Sequence, residues 1–256
     1  MILGAQVYSV RTDIQTPESY LQTMQKLKAM GYETVQHAGA ALEDAYLLRD
    51  LTQQAGLRQI CPNIDAQPLL ENVDKVIADM KVLGCDSVML PYITPDAFAT
   101  LESFRQAWAP LEASIRKLQE AGITPVYHNH DFDAAPMFDW DGSFVQWLKE
   151  NRPGWKFIVD VCWAEFAGAD VCALLESFGD RVDCVHFKDY TGGVNSRHVP
   201  VFCACGKGRV ALPTYAQTVK QLGIADVIVE QDNAIAYPDP FGEMEQSAAY
   251  LKRLFA

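Results

Sequence analysis

The chain has 256 residues, of which 49% are hydrophobic and 21% charged, and it carries a formal net charge of −12. This is an ordinary soluble composition with room for a large core, and the acidic balance argues against a nucleic-acid backbone or an anionic membrane surface as partner. The opening MILGAQVYSV lacks the basic region and long apolar core of a signal peptide, and no apolar run reaches membrane-spanning length, so a cytoplasmic location is expected.

Strand-like and helix-like segments then alternate from end to end. The apolar run 2–8 (ILGAQVY) reads as a strand, and the next segment, Pro17 to Met30, reads as a helix. Thr16 is its N-cap, Pro17 takes the first helical position and Gly31 is the stop. Strands follow at 33–37, 57–62 and 86–91. The helices between them run from Ala40 to Ala55, stopped by Gly56, and from Pro68 to Leu83, stopped by Gly84. The stretch from Pro95 to Ala121 contains Pro110, which predicts two helices or one kinked helix. Four more strands are expected at 123–128, 156–160, 183–187 and 226–230, with helices at 142–150, 170–178, 212–222 and 241–254. Eight strand–helix repeats imply a parallel sheet and favour its closure over an open sheet. The residues after the first strand, VYSVRTD, carry no glycine fingerprint for a dinucleotide, and Gly206-Lys207-Gly208 is too short for a phosphate loop. The seven cysteines are scattered without a disulfide framework, and the lone Cys203-x-Cys205 pair makes a poor zinc site. No linker divides the chain, so the expected fold is an α/β single-domain (β/α)8 TIM barrel over residues 1–256.

In such a barrel the C-terminal ends of all strands open on one face. The fifth strand, ITPVYHNHDFD, is apolar along its body and ends in His128, Asn129, His130, Asp131 and Asp133. FIVDVCW brings Asp160 to the end of the sixth strand, CVHFKDY brings His186 and Lys188 to the seventh, and VIVEQDN brings Glu230 to the eighth. Asp133, Asp160, His186 and Glu230 are distant in sequence but neighbours in a barrel. Three carboxylates and one imidazole form an oxygen-rich set suited to Mn²⁺, Mg²⁺ or a similar divalent ion.

The segments YHNHDFD, DVCWAEFAGAD, VHFKD, the GKG turn and VIVEQD, in that order, resemble the signature segments of the sugar phosphate isomerase/epimerase family, the xylose isomerase-like TIM barrels. QVYSVR and MGYETVQ resemble that family's first two strands, so the likeness runs over nearly the whole chain. The resemblance implies a metal-dependent isomerase or epimerase of a keto sugar or sugar derivative. It also implies one divalent ion, Mn²⁺ first, with Mg²⁺, Co²⁺ or Zn²⁺ as alternatives. Residue by residue, the family's metal ligands carry over to Asp133, Asp160, His186 and Glu230. Relatives usually read HNHDFE where this chain has HNHDFD, and commonly carry Glu where Gln36 stands; the shorter Asp133 leaves His128 or His130 to compensate.

Further roles follow from position. Glu230 and Asp133 are the candidate acid and base, and His128 is expected to hydrogen-bond a substrate hydroxyl. Lys188 lies on the same side of its strand as His186 and is suited to a developing oxyanion, with an ion pair to Asp189 as the alternative. Trp163 and His130 are expected beside the sugar, and Tyr8 and Arg11 at the rim. The expected partner is a small carbohydrate, and assembly with further copies of the chain is compatible with the sequence. Two rival readings stay open: a lyase or hydratase acting on keto-inositols or 3-keto-glycosides, and a non-catalytic barrel used as a binding subunit.

Overall fold

A computed structural model of the protein describes residues 1–38, 44–134 and 142–256. The strands of the barrel are β1 (Ile2–Gln6), β2 (Thr34–Gln36), β3 (Arg58–Gln59), β4 (Ser87–Met89), β5 (Thr124–His128), β6 (Lys156–Asp160) and β7 (Val182–Phe187), and β10 (Asp226–Val229) completes the set. They form one parallel sheet in the order β3-β2-β1-β10-β7-β6-β5-β4. The two outer strands meet through a parallel bridge between Asn63 and Met89, which closes the ring. The fold is therefore the expected (β/α)8 TIM barrel.

Helices lie outside the strands, each started and stopped by its own sequence. Helix α1 (Pro17–Met30) has the Thr16 cap, with a reciprocal Ser19 contact, and ends at Gly31 with φ 90°. Helix α2 is described from Ala45 to Gln54 and is capped by Asp44; the start expected for it, 40–43, lies outside the described residues. Helix α3 (Ala66–Leu83) stops at Gly84, and its backbone leaves helical geometry at Asn72. In the stretch around Pro110 the break comes early. A 3₁₀ turn at Pro95–Phe98 ends before Thr100, which caps a helix, α4 (Leu101–Glu120), that accommodates Pro110 inside it. The capping box at Thr100 and Ser103 fixes that boundary.

Four further helices match the periodic segments: α6 (Phe144–Asn151), α8 (Val171–Phe178), α9 (Leu212–Gln221) and α10 (Pro240–Phe255). Two short ones, α5 (Asp131–Ala134) and α7 (Val161–Phe166), follow β5 and β6 directly. After β7 an antiparallel hairpin, β8 (Asp189–Val194) and β9 (Pro200–Cys203), was not expected; its glycine-rich, largely exposed first strand reads as loop. No helix among the described residues is long and apolar enough to cross a membrane.

Side-chain alternation along the strands sets the layers inside the barrel. Cys61, Met89, Val126, Ile158, Cys184 and Ile228 form a buried apolar cluster. Two residues further along β5, β6, β7 and the end of β10 stand His128, Asp160, His186 and Glu230. The apolar layer is thus a dry floor, and the polar layer above it faces the mouth. Outward residues such as Phe157, Val159, Val185, Phe187, Val227 and Val229 join the core shared with the helices.

Candidate active site

One ligand atom from each of His128, Asp160, His186 and Glu230 lies within 4.8 Å of those of the other three. Asp160 pairs in register with His186, and His186 with Ile228, so the ladder itself holds these positions level. Asn129 locks Asp160 further: its amide oxygen accepts from the Asp160 N–H at 2.9 Å and its amide nitrogen donates to the Asp160 carbonyl at 3.3 Å. One Asp160 oxygen, Oδ1, accepts the Trp163 N–H at 2.9 Å and so caps α7. The other, Oδ2, lies 3.5 Å from Nε2 of His128 and 3.2 Å from the Lys188 ammonium, and Nε2 of His128 has no hydrogen-bond partner.

Both nitrogens of His186 are engaged. Nε2 lies 2.6 Å from Oε1 of Gln36, whose own amide nitrogen donates to the Cys184 sulfur. Nδ1 lies 3.0 Å from Oε2 of Glu230. Burial holds the His186 pKa below its ordinary value, which favours the neutral ring. The ligand atoms of Glu230, Asp160, His186 and His128 are grouped closely enough to share one metal ion. Two carboxylates and two imidazoles fit a divalent ion of the Mn²⁺, Co²⁺ or Zn²⁺ kind.

Asp133 stands apart from this group. Its carboxylate is fully buried, accepts from the Tyr127 hydroxyl at 2.7 Å and from the His130 N–H at 2.8 Å, and does not line the cavity. His128 occupies the corner of the cluster that the sequence assigned to Asp133. The donor set is accordingly richer in nitrogen than three carboxylates and one imidazole.

Lys188 is 1% exposed and reaches into the same space. Its ammonium lies 3.2 Å from Asp160 Oδ2, 3.0 Å from Glu230 Oε2 and 2.9 Å from Asp232 Oδ1. Burial works against that charge, but Asp160, Asp232 and Glu230 together hold the lysine pKa well above its usual value. Burial likewise opposes charge on Glu230 and Asp160, and the Lys188 ammonium outweighs it with help from the histidines, so both carboxyls titrate below their ordinary range. The anticipated alternative partner, Asp189, is occupied elsewhere.

The cavity above has a volume of about 1050 Å³. Trp163 lines it, is buried, and has an indole N–H without a partner. His130 lines it too, packed edge-on against Tyr92 and parallel to Phe132, and burial first, then His128, pushes its pKa well down, leaving it neutral. Tyr8 and Arg11 stand at the rim, the guanidinium 4.0 Å over the Tyr8 ring. Arg11 also donates to the Asp232 carbonyl at 2.8 Å and thereby ties the loop after β1 to the loop after β10. Sequence reasoning gave no role to Asp232, Tyr92 or Phe202, all of which line this cavity. Asp232 stands with Glu230 at the end of the eighth strand in VIVEQDN; nothing in the sequence marks the other two.

The xylose isomerase-like TIM barrel family model matches residues 24–254. The chain belongs to that family. No curated protein matches it in sequence. Among solved structures it is similar to a sugar phosphate isomerase/epimerase from Parabacteroides distasonis ATCC 8503, with TM-score 0.73 and 20% identity over 98% of this chain and 97% of that one. It is also similar to a probable 3-DHS dehydratase from Bacillus anthracis, with TM-score 0.73 and 11% identity over 98% and 99% of the two chains. A third is the IolI protein with a bound zinc atom, with TM-score 0.70 and 13% identity over 100% and 98%. At these identities the likeness establishes the fold.

Proposed function

We propose that the protein is a divalent-metal-dependent isomerase or epimerase of a keto sugar or sugar derivative, acting by removal of a proton alpha to a carbonyl. The observation that carries this reading is the convergence of Glu230, Asp160, His186 and His128 with the Lys188 ammonium at the mouth of the barrel. A carboxylate alone is too weak a base for such a proton by roughly a dozen pKa units, about 16 kcal/mol. A divalent ion held by the four side chains supplies Lewis-acid stabilisation of negative charge on the substrate oxygens.

The chain's own residues supply the rest. Glu230, at the end of a rigid strand, takes the alpha proton, and the C–H electron pair moves into the new carbon–carbon double bond of an enediolate. Lys188 donates a hydrogen bond to the oxygen that gains charge. His130, kept neutral, binds a hydroxyl, and the Trp163 and Tyr8 rings offer faces to the sugar. The apolar floor keeps water from below. Asp133 is engaged with Tyr127 and His130, so the return of the proton falls to Glu230 at the neighbouring carbon for an isomer, or to a water of the cavity on the opposite face of the enediolate for an epimer.

Return of the proton to carbon gives an isomer or epimer. Departure of a group beta to the carbonyl gives elimination, the second reading, which the similarity to a probable dehydratase supports. A screen of keto sugars, keto-inositols and 3-keto-glycosides with added Mn²⁺, with products identified by NMR in D₂O, tests the proposal. Turnover with deuterium at the alpha carbon is expected. Deuterium-free product, or no turnover despite a bound ion, would overturn it.

A further inference from the structure

The two carboxylate oxygens nearest the proposed cation position are also the oxygens that Lys188 touches. Its ammonium lies 3.2 Å from Asp160 Oδ2 and 3.0 Å from Glu230 Oε2, while its third carboxylate, Asp232 Oδ1 at 2.9 Å, is outside the four-group cluster. The lysine side chain is buried, and the rings of Trp163 and Phe202 flank the ammonium at 5.4 and 5.0 Å. Asp232 is held independently of the cluster, because Arg11 grips its carbonyl from the loop after β1. Two buried carboxylates, the partly exposed Asp232 and one ammonium thus share this space, and Asp232 serves only the lysine.

We propose that Lys188 is a built-in rival of the divalent ion for Asp160 and Glu230, and that Asp232 tunes metal affinity by holding the ammonium to one side. This rests on reading the cluster as a metal site. Asp232 is then a positioning residue: it never meets the ion, yet it determines how far the lysine leans on the two shared carboxylates. The arrangement keeps the carboxylates charged and ordered in the metal-free protein, and limits how tightly the ion is retained. Like charges in a low-dielectric site repel strongly, so removing the lysine strengthens metal binding and removing its private partner weakens it.

Calorimetric titration of the full chain with MnCl₂ tests this, on wild type, Lys188→Met, Asp232→Asn and the double variant, each stripped with chelator and checked by circular dichroism. Lys188→Met is expected to bind Mn²⁺ about tenfold more tightly and Asp232→Asn about tenfold more weakly. The double variant should bind as tightly as Lys188→Met, because Asp232 acts only through the lysine. Loss of packing alone would weaken binding in both single variants, so shifts in the same direction would overturn the proposal, as would unchanged affinity. If Lys188→Met does not fold, a wild-type affinity in Asp232→Asn is sufficient to overturn it. Wild-type protein that takes up no Mn²⁺ would refute the metal reading itself, whereas normal uptake with indifferent variants refutes only the role of Lys188 and Asp232.

Discussion

Asp133 is a carboxyl with no exposed surface, and burial pushes its pKa up to about 7 from an ordinary 3.8, against the pull of Tyr127 and the His130 N–H. A folded-state pKa above the unfolded one means that stability is fully present below about pH 4 and is lost as pH rises through about 7. Asp133→Asn removes that titration while keeping an acceptor for the Tyr127 hydroxyl or the backbone. Its stability relative to wild type should rise between pH 4.5 and 7.5 by a few kcal/mol, at most about 4. Urea unfolding at both pH values checks this, and a pH-independent difference would contradict it. The motif placed Asp133 in the right loop, but local geometry redirected it. It is the third residue of α5, and like the acid of a capping box it reaches back to the N–H of the residue before the helix. Gln36 shows the reverse case: an apparent departure from the family turns out to orient His186 through a 2.6 Å contact. Gln36→Leu should leave the barrel folded and weaken Mn²⁺ binding about 10–100-fold. Equilibrium dialysis against Mn²⁺ measures this, and wild-type affinity would show that the contact does not matter.

At the scale of elements, the hairpin after β7 is organised by one side chain. Asp189 Oδ2 accepts from the N–H groups of Gly206 and Gly208, both at 2.9 Å, and Oδ1 accepts from Tyr190 at 2.9 Å and Val210 at 3.1 Å. The GKG turn is therefore a small anion-binding nest already filled by the protein's own carboxylate. This is why Asp189 does not pair with Lys188: successive residues of an extended chain point to opposite sides. A Cβ at Gly208 would meet Asp189 Oδ1 at 2.1 Å and the Tyr190 carbonyl at 2.3 Å, so only glycine fits there. Asp189→Ala should cost about 3 kcal/mol, because several backbone donors lose their acceptor at once. Thermal unfolding checks it, and a loss below about 1 kcal/mol would mean that water replaces the carboxylate without penalty. The hairpin was illegible in the sequence because its Thr-Gly-Gly stretch lacks alternation. The other strands and most helices were legible because apolar runs, caps and glycine stops all agreed.

For the whole molecule, the alternation of strands and helices was enough to read the barrel. The closing contact was not readable, because β3 is two residues long and the ring is sealed by the Asn63–Met89 bridge. Strand ends mark Asp160, His186, Lys188 and Glu230, which the structure brings together. The sequence offered His128 or His130 in place of the shorter Asp133; that His128 is the one in the cluster, and that Lys188 pairs with Asp232, depend on side-chain reach, which spacing does not encode. In the proposed reaction Glu230 removes a proton alpha to a carbonyl. The most direct measurement is exchange of that proton with D₂O, followed by NMR on the best keto-sugar substrate at saturating Mn²⁺. Glu230→Gln keeps the shape and removes the basicity, so exchange should fall at least about a hundredfold, with Mn²⁺ occupancy measured alongside. Wild-type exchange rates in the metal-loaded Glu230→Gln protein would contradict the mechanism.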